Sequence, residues 1–173
     1  MDTENLKVYE YQEPDNNQNF TIDDLNGKTV VSMANGEKLG SVYDVLVDPE
    51  SLKIAALIVS RGGVFQQKQA LVPAPEINAW GKDAVLIKGE PSLLSEEEVA
   101  DRKNWVRASN QIQGRPLVSA GGEKLGTIHN IVVNENGQIV AYQVSGGTFS
   151  SDKRVNAQMT QTLGGDVVIV RNP

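Results

Sequence analysis

The sequence predicts a mainly β protein made of two tandem small β-barrels joined by a short helix, behind a disordered acidic N-terminal tail. Three observations carry that expectation. The five residues Gly36-Glu37-Lys38-Leu39-Gly40 return as Gly122-Glu123-Lys124-Leu125-Gly126. Around each copy the chain runs in parallel, with Val42 to Asp48 set against Ile128 to Asn134, and Ile54 to Ser60 against Ile139 to Ser145. The apolar runs are short and β-branched, and turn residues cut them about every eight to twelve positions, as in small barrels and sandwiches. A repeat on this scale sets the architecture before any single element does.

The division that follows is a flexible acidic tail over 1–20, a first repeat over 21–90, a helical linker over 91–108 and a second repeat over 109–173. Each repeat is about 60 to 70 residues, near the lower limit for an independent core, so each half is expected to lean on the other. The tail is polar and rich in Asn and Gln around Gln12 to Asn19, without a sustained apolar period. Its adhesive residues Val8, Tyr9 and Tyr11 would suit a short partner-binding segment, but the composition is that of a mobile end.

In the first repeat, Thr29 to Met33 reads as a strand, and Asn35-Gly36 is a hairpin signal because both residues tolerate positive φ. Ser41 to Asp48 is apolar enough for a strand buried on much of both faces, Asp48-Pro49-Glu50-Ser51 is a turn, and Lys53 to Ser60 is the hairpin partner. Gly62-Gly63 breaks that strand, Gln69 to Val72 is the fourth, a crossing segment runs from Pro73 to Trp80-Gly81, and Ala84 to Lys88 closes the unit. The second repeat places strands at Pro116 to Ser119, Thr127 to Asn134, Gln138 to Ser145 and Val167 to Arg171, with turns at Gly121-Gly122 and Asn136-Gly137. Closure of each sheet would hide its edges. In the linker, Ser95 is placed to cap a helix from about Glu96 to Asn104, with Glu98 answering it.

These residues carry a resemblance. Gly36-Glu37-x-Leu39-Gly40-x-Val42-x-Asp44-Val45-x-Val47-Asp48, the Ile54 to Val59 strand, Gly62-Gly63, Ala70-Leu71-Val72-Pro73 and Asp83 to Ile87 resemble the PRC-barrel domain. That is the small barrel of the photosynthetic reaction-centre H subunit's cytoplasmic part and of a ribosome maturation factor's C-terminus. The second copy departs at Asn130, Asn134 and Val155-Asn156, and keeps Asp166 where the first has Asp83. The resemblance implies an interaction module, with partners that include membrane-associated or photosynthetic complexes; the fold by itself names no chemistry.

Catalytic parts are missing from the composition. The chain has no cysteine and one histidine, so thiolate sites, cysteine nucleophiles and two-histidine metal sites are excluded. His129 stands where the first repeat has Tyr43, a position that suits a half-buried ring with a polar tip. Gly62-Gly63 and Gly146-Gly147 follow strands but open no helix, so they read as turns instead of phosphate loops. Glu96, Glu97, Glu98 and Asp101 point in different directions on a helix, which favours capping over a cation site. Asp48 and Asn134 are explained by turn chemistry. No catalytic residue, cofactor or metal ligand is assigned, and an enzyme is not expected.

Charge supplies what remains. The net charge is −6; residues 1–24 hold seven acids and one base, while 25–101 sum to −4 and 102–173 to +4. Such asymmetry steers association but does not dictate fold. The candidate partner-binding residues are the loop-tip aromatics Phe65 and Phe149 and the cations Arg102, Lys103, Arg107, Arg115, Lys153 and Arg154. The cations would meet an acidic protein surface, the chain's own tail, a second copy, or RNA in the manner of a ribosome-maturation accessory. A neutral body, an acidic tail and few aromatic residues count against RNA. No window approaches the roughly 18 apolar residues of a membrane span, and the N-terminus lacks a signal-peptide pattern, so a soluble, cytoplasmic chain, at most peripheral to a membrane complex, is expected.

Overall fold

The structure, a computed structural model, describes residues 6–15, 18–61, 68–89, 104–147 and 151–173. Two short pieces open the first repeat: strand β1 (Phe20–Thr21) and helix α1 (Ile22–Leu25). Thr21 caps that helix by accepting from the Asp24 N–H at 3.2 Å while Asp24 accepts from the Thr21 N–H, a reciprocal cap that lets one turn of helix persist. Strands β2 (Thr29–Ser32), β3 (Lys38–Asp48), β4 (Lys53–Arg61), β5 (Lys68–Pro73), β6 (Ile77–Trp80) and β7 (Ala84–Ile87) follow. The second repeat retells this as β8 (Val106–Arg107), α2 (Ala108–Gln111), β9 (Pro116–Ser119), β10 (Lys124–Val133), β11 (Ile139–Ser145), β12 (Lys153–Asn156), β13 (Thr160–Thr162) and β14 (Val168–Val170).

The two sheets have the same strand order, β5-β4-β3-β2-β7-β6 and β12-β11-β10-β9-β14-β13. In each, the strand after the opening helix pairs in parallel with the strand near the repeat's end, Thr29 with Ala84 and Leu117 with Val168. The seventh strand of each sheet comes from the other repeat. β1 pairs with β10, Phe20 opposite Val133, and β8 pairs with β3, Val106 opposite Val47. The halves therefore exchange their opening segments. One continuous apolar cluster results, running from Val45, Val47 and Leu57 through Ile22, Leu25, Ala108 and Ile112 to Ile128, Ile131 and Val133.

The repeated five-residue word has a geometric cause. Gly36 and Gly122 turn with φ of 71° and 89°, a region that side chains with a Cβ avoid. Gly40 and Gly126 lie where the next strand crosses close: a Cβ on Gly126 would sit 2.7 Å from the Ser145 carbonyl oxygen, and one on Gly40 would overlap that of Ser60. The intervening leucines fall at a register shift in each pairing and are buried. A second shift follows at Tyr43 and His129. Such bulges re-aim side chains: Tyr43 is 54% exposed and His129 is exposed, whereas Asp44 and Asn130 turn inward. The half-buried ring expected at this position is thus corrected by the bulge.

Three further expectations change. Neither sheet is closed by a ladder, because each order ends at two unjoined strands, β5 and β6 or β12 and β13. The tail is not a mobile end over its described residues: Lys7–Tyr9 forms a 3-10 turn, Leu6 and Tyr9 are buried, and Glu10 bridges Val155. Lone apolar residues without a period can still find a groove on a folded neighbour. At the far end of the linker, Val106–Arg107 is strand and Ala108 begins a helix, so regular structure resumes within the expected linker, before 109. The expected helix from Glu96, with its acidic cluster, lies outside the described residues apart from Asn104, which is in no regular element.

Candidate functional site

Among the described residues, two places gather polar contacts between distant parts of the chain, the junction between repeats and the edge of β12. At the junction, Asp44 is 2% exposed and its Oδ1 accepts the Val45 N–H at 2.8 Å, while Oδ2 accepts the Ser109 hydroxyl at 2.5 Å. The Arg107 guanidinium stands 3.6 Å away. Asn130, the counterpart, accepts from the Ile131 N–H at 2.9 Å and the Asp23 N–H at 3.3 Å. Each bulge residue thus ties the exchanged helix of the other repeat to its own strand. The hairpin turns meet back to back, the Ile54 N–H donating to Gly137 O and the Ile139 N–H to Leu52 O, both at 2.8 Å. The Gln138 amide nitrogen donates to Ser51 O and Leu52 O. Beside them lies a cleft of about 500 Å³ walled by Phe20, Trp80, Lys28, Lys82 and Glu135 among others, where the Phe20 and Trp80 rings lie 5.5 Å apart.

At the β12 edge, the Tyr11 N–H donates to Arg154 O at 2.8 Å and Glu10 bridges Val155 in antiparallel fashion. Lys153 Nζ lies 3.9 Å from Glu10 Oε1, and Arg154 pairs with Glu13. Tyr9 is fully buried in the apolar cluster, yet among the described residues its hydroxyl has no hydrogen-bond partner. Burial pushes its pKa up, and the Glu123 carboxylate adds to the shift. A groove of about 210 Å³, walled by Tyr11, Gln12, Ile139, Val140 and Asn156 among others, stays open alongside.

The candidate residues separate. Phe65, Phe149, Arg102 and Lys103 lie outside the described residues. Arg107 is taken into the junction, and Arg115 is half-buried just before β9, its Nε enclosed with no hydrogen-bond partner among the described residues. Lys153 and Arg154 stand together on β12 and face the tail, one of the encounters expected of them. Tyr9, Glu10, Tyr11 and Glu13 complete that site; their sequence signal was the adhesive trio Val8, Tyr9 and Tyr11 beside acids. Among the described residues no group of three or more His, Cys, Asp or Glu could hold a metal ion. No helix of the described residues is long and apolar enough to cross a membrane.

Comparison with known proteins agrees with this twofold construction. The chain is 37% identical over 65 residues to an uncharacterised protein of Deinococcus radiodurans, a match covering 35% of this chain and 24% of that protein. It is 29% identical over 74 residues to a probable sporulation protein, YlmC, of Bacillus subtilis, covering 40% of this chain and 91% of that relative. Each match is about as long as one repeat, and the chain spans about a quarter of the Deinococcus protein. The sequence model of the PRC-barrel domain matches twice, over residues 17–94 and 106–173, where the two sheets lie. The chain therefore belongs to the PRC-barrel domain family, and carries that domain in tandem.

Proposed function

We propose that the protein is a non-catalytic protein–protein interaction and assembly module. The observation that carries this reading is the β12 edge, where the fold already takes up an extended segment through main-chain bonding, one of the recurring ways sheets recognise peptides. The conspicuous polar side chains support it in a second way. Asp44, Asn130, Ser109 and Gln138 are spent on joining the repeats, and turn chemistry occupies Asp48 and Asn134, which accept backbone N–H bonds at 2.9 Å. The RNA reading weighs less, because Lys153 and Arg154 face carboxylates and Arg107 faces Asp44.

The test is affinity purification of the full chain at low and moderate salt with nuclease treatment. A protein that persists at moderate salt supports the reading, whereas nuclease-sensitive RNA whose retention falls steeply with salt overturns it. Phe65 and Phe149 are proposed contacts in the same assay: Phe65→Ala and Phe149→Ala are expected to weaken capture with an unchanged melting midpoint. A large loss of stability would assign them to the core.

A further inference from the structure

We propose that the edge of β12 is a docking site for an extended acidic peptide with an aromatic anchor, and that Leu6 to Glu13 close this site in cis as a displaceable strap. The inference rests on the interaction-module reading and names its partner chemistry and its regulation. Three kinds of contact define what fits. Main-chain bonding at Glu10–Val155 and Tyr11–Arg154 requires an extended backbone but no particular side chain. The pocket filled by Tyr9 requires a large, mainly apolar ring. Lys153 and Arg154, meeting Glu10 and Glu13, require carboxylates one and four positions after that ring.

The first repeat shows that this demand is local. Strand pairing sets Arg154 opposite Gln143 as it sets Leu71 opposite Ile58, so Ala70 and Leu71 occupy the places of Lys153 and Arg154. The cationic pair belongs to the second edge alone.

The strap fits imperfectly, and this makes it displaceable. Its anchoring hydroxyl is enclosed with no partner among the described residues, which costs the desolvation of that group. The groove beside Tyr11 and Gln12 is lined in part by half-buried Val140, which a longer side chain there would cover. Both ion pairs are partly exposed and so are weak. The strap is held by the burial of Leu6 and Tyr9 and by its main-chain bonding, helped by its tether, which gives it an effective concentration on the order of millimolar. A partner that satisfies the same contacts and fills the groove can replace it.

The probe is a fluorescent peptide with the sequence of residues 6–13, titrated by anisotropy into the full chain and into full-chain variants. Wild type is expected to bind it at least about 10-fold more weakly than Tyr9→Ala, whose strap has lost its buried anchor, and more weakly by a smaller factor than Glu10→Gln/Glu13→Gln, whose strap has lost only the two exposed ion pairs. Adding Lys153→Glu/Arg154→Glu to the opened chain should remove binding, and a peptide carrying Tyr9→Phe should bind the opened chain more tightly than the parent. If Tyr9→Ala fails to fold, the glutamine pair, which keeps the anchor, decides the question. Absence of binding to folded opened variants overturns the proposal, as does equal binding by wild type. Dimerisation of the opened chain in place of peptide capture assigns the edge to a second copy and overturns it too. If Lys153→Glu/Arg154→Glu still retains a protein partner in the purification, the module reading stands and this edge is excluded.

Discussion

The two repeats solve one problem with different charges. At the same bulge, the first places a carboxylate and the second an amide, and both accept the N–H of the following residue at nearly equal distances, 2.8 and 2.9 Å. The buried carboxylate of Asp44 has Arg107 and Ser109 beside it; Asn130 has a backbone N–H from Asp23, and Thr21 stands where the first junction has Arg107. The difference teaches that the bulge geometry is the requirement and the charge is optional, provided a burial penalty is met by a partner. The close crossing at Gly40 and Gly126 is the opposite case, identical in both repeats because no side chain fits.

The largest expected effect breaks that shared feature. Gly40→Ala should destabilise by about 3 kcal/mol, through overlap with a rigid carbonyl and a φ of 148°. Gly126→Ala meets similar crowding without the positive φ and should cost about 1 kcal/mol less; urea midpoints of the two variants decide. Equal costs would mean that the backbone conformation contributes nothing.

A second test uses Tyr142, which occupies the place of Leu57. Burial pushes its hydroxyl up to about 12, despite the bond to Thr160 at 2.7 Å. The unfolded chain releases this proton near pH 10 and the folded chain later, so stability holds below pH 10 and falls as pH rises towards 12. The loss should approach about 2 to 3 kcal/mol. Tyr142→Phe should reduce the slope in denaturation midpoints over that window, leaving the contribution of Tyr9, whose hydroxyl is shifted in the same direction; an unchanged slope would place the titrating group elsewhere. The first repeat, with leucine there, contributes none of it.

The smallest effect sharpens the junction comparison. Asp44→Ala leaves the Val45 N–H and the Ser109 hydroxyl without their acceptor and Arg107 without its carboxylate, and should cost about 2 kcal/mol; Asn130→Ala should cost about 1. Asp44→Asn, which imports the second repeat's solution, should cost less than Asp44→Ala. If it costs as much, the charge is required in the first repeat after all.

Much of this was legible in the sequence because the repeat is written in turn residues and β-branched runs. Strands β3, β4, β9, β10 and β11 follow from periodicity, and the start of β9 and its end at Ser119 match the expected bounds. What escaped was short or polar. β13 is Thr-Gln-Thr and β12 has Val155 as its one buried residue, so neither shows an apolar run. β1 and β8 have two residues each, too few for any period, and their exchange depends on contacts across more than a hundred positions in one case. The tail carried a compositional signal for disorder, and only the folded second repeat offers the pocket that Tyr9 fills. At the candidate site, the meeting of the cations with the acidic tail was one of several encounters the charges allowed; that it takes the form of an added extended segment required knowing that β12 is an edge.

The reciprocal placement of β1 and β8 bears on how such a molecule can be divided. A cut between the repeats would leave each fragment carrying a strand that belongs in the other's sheet and missing one from its own, with the Ile22 and Ala108 helices stranded on the wrong piece. Two such fragments are complementary halves of one clasp, and a lineage that began from a single-barrel unit could fuse two copies while keeping the same handshake inside one chain.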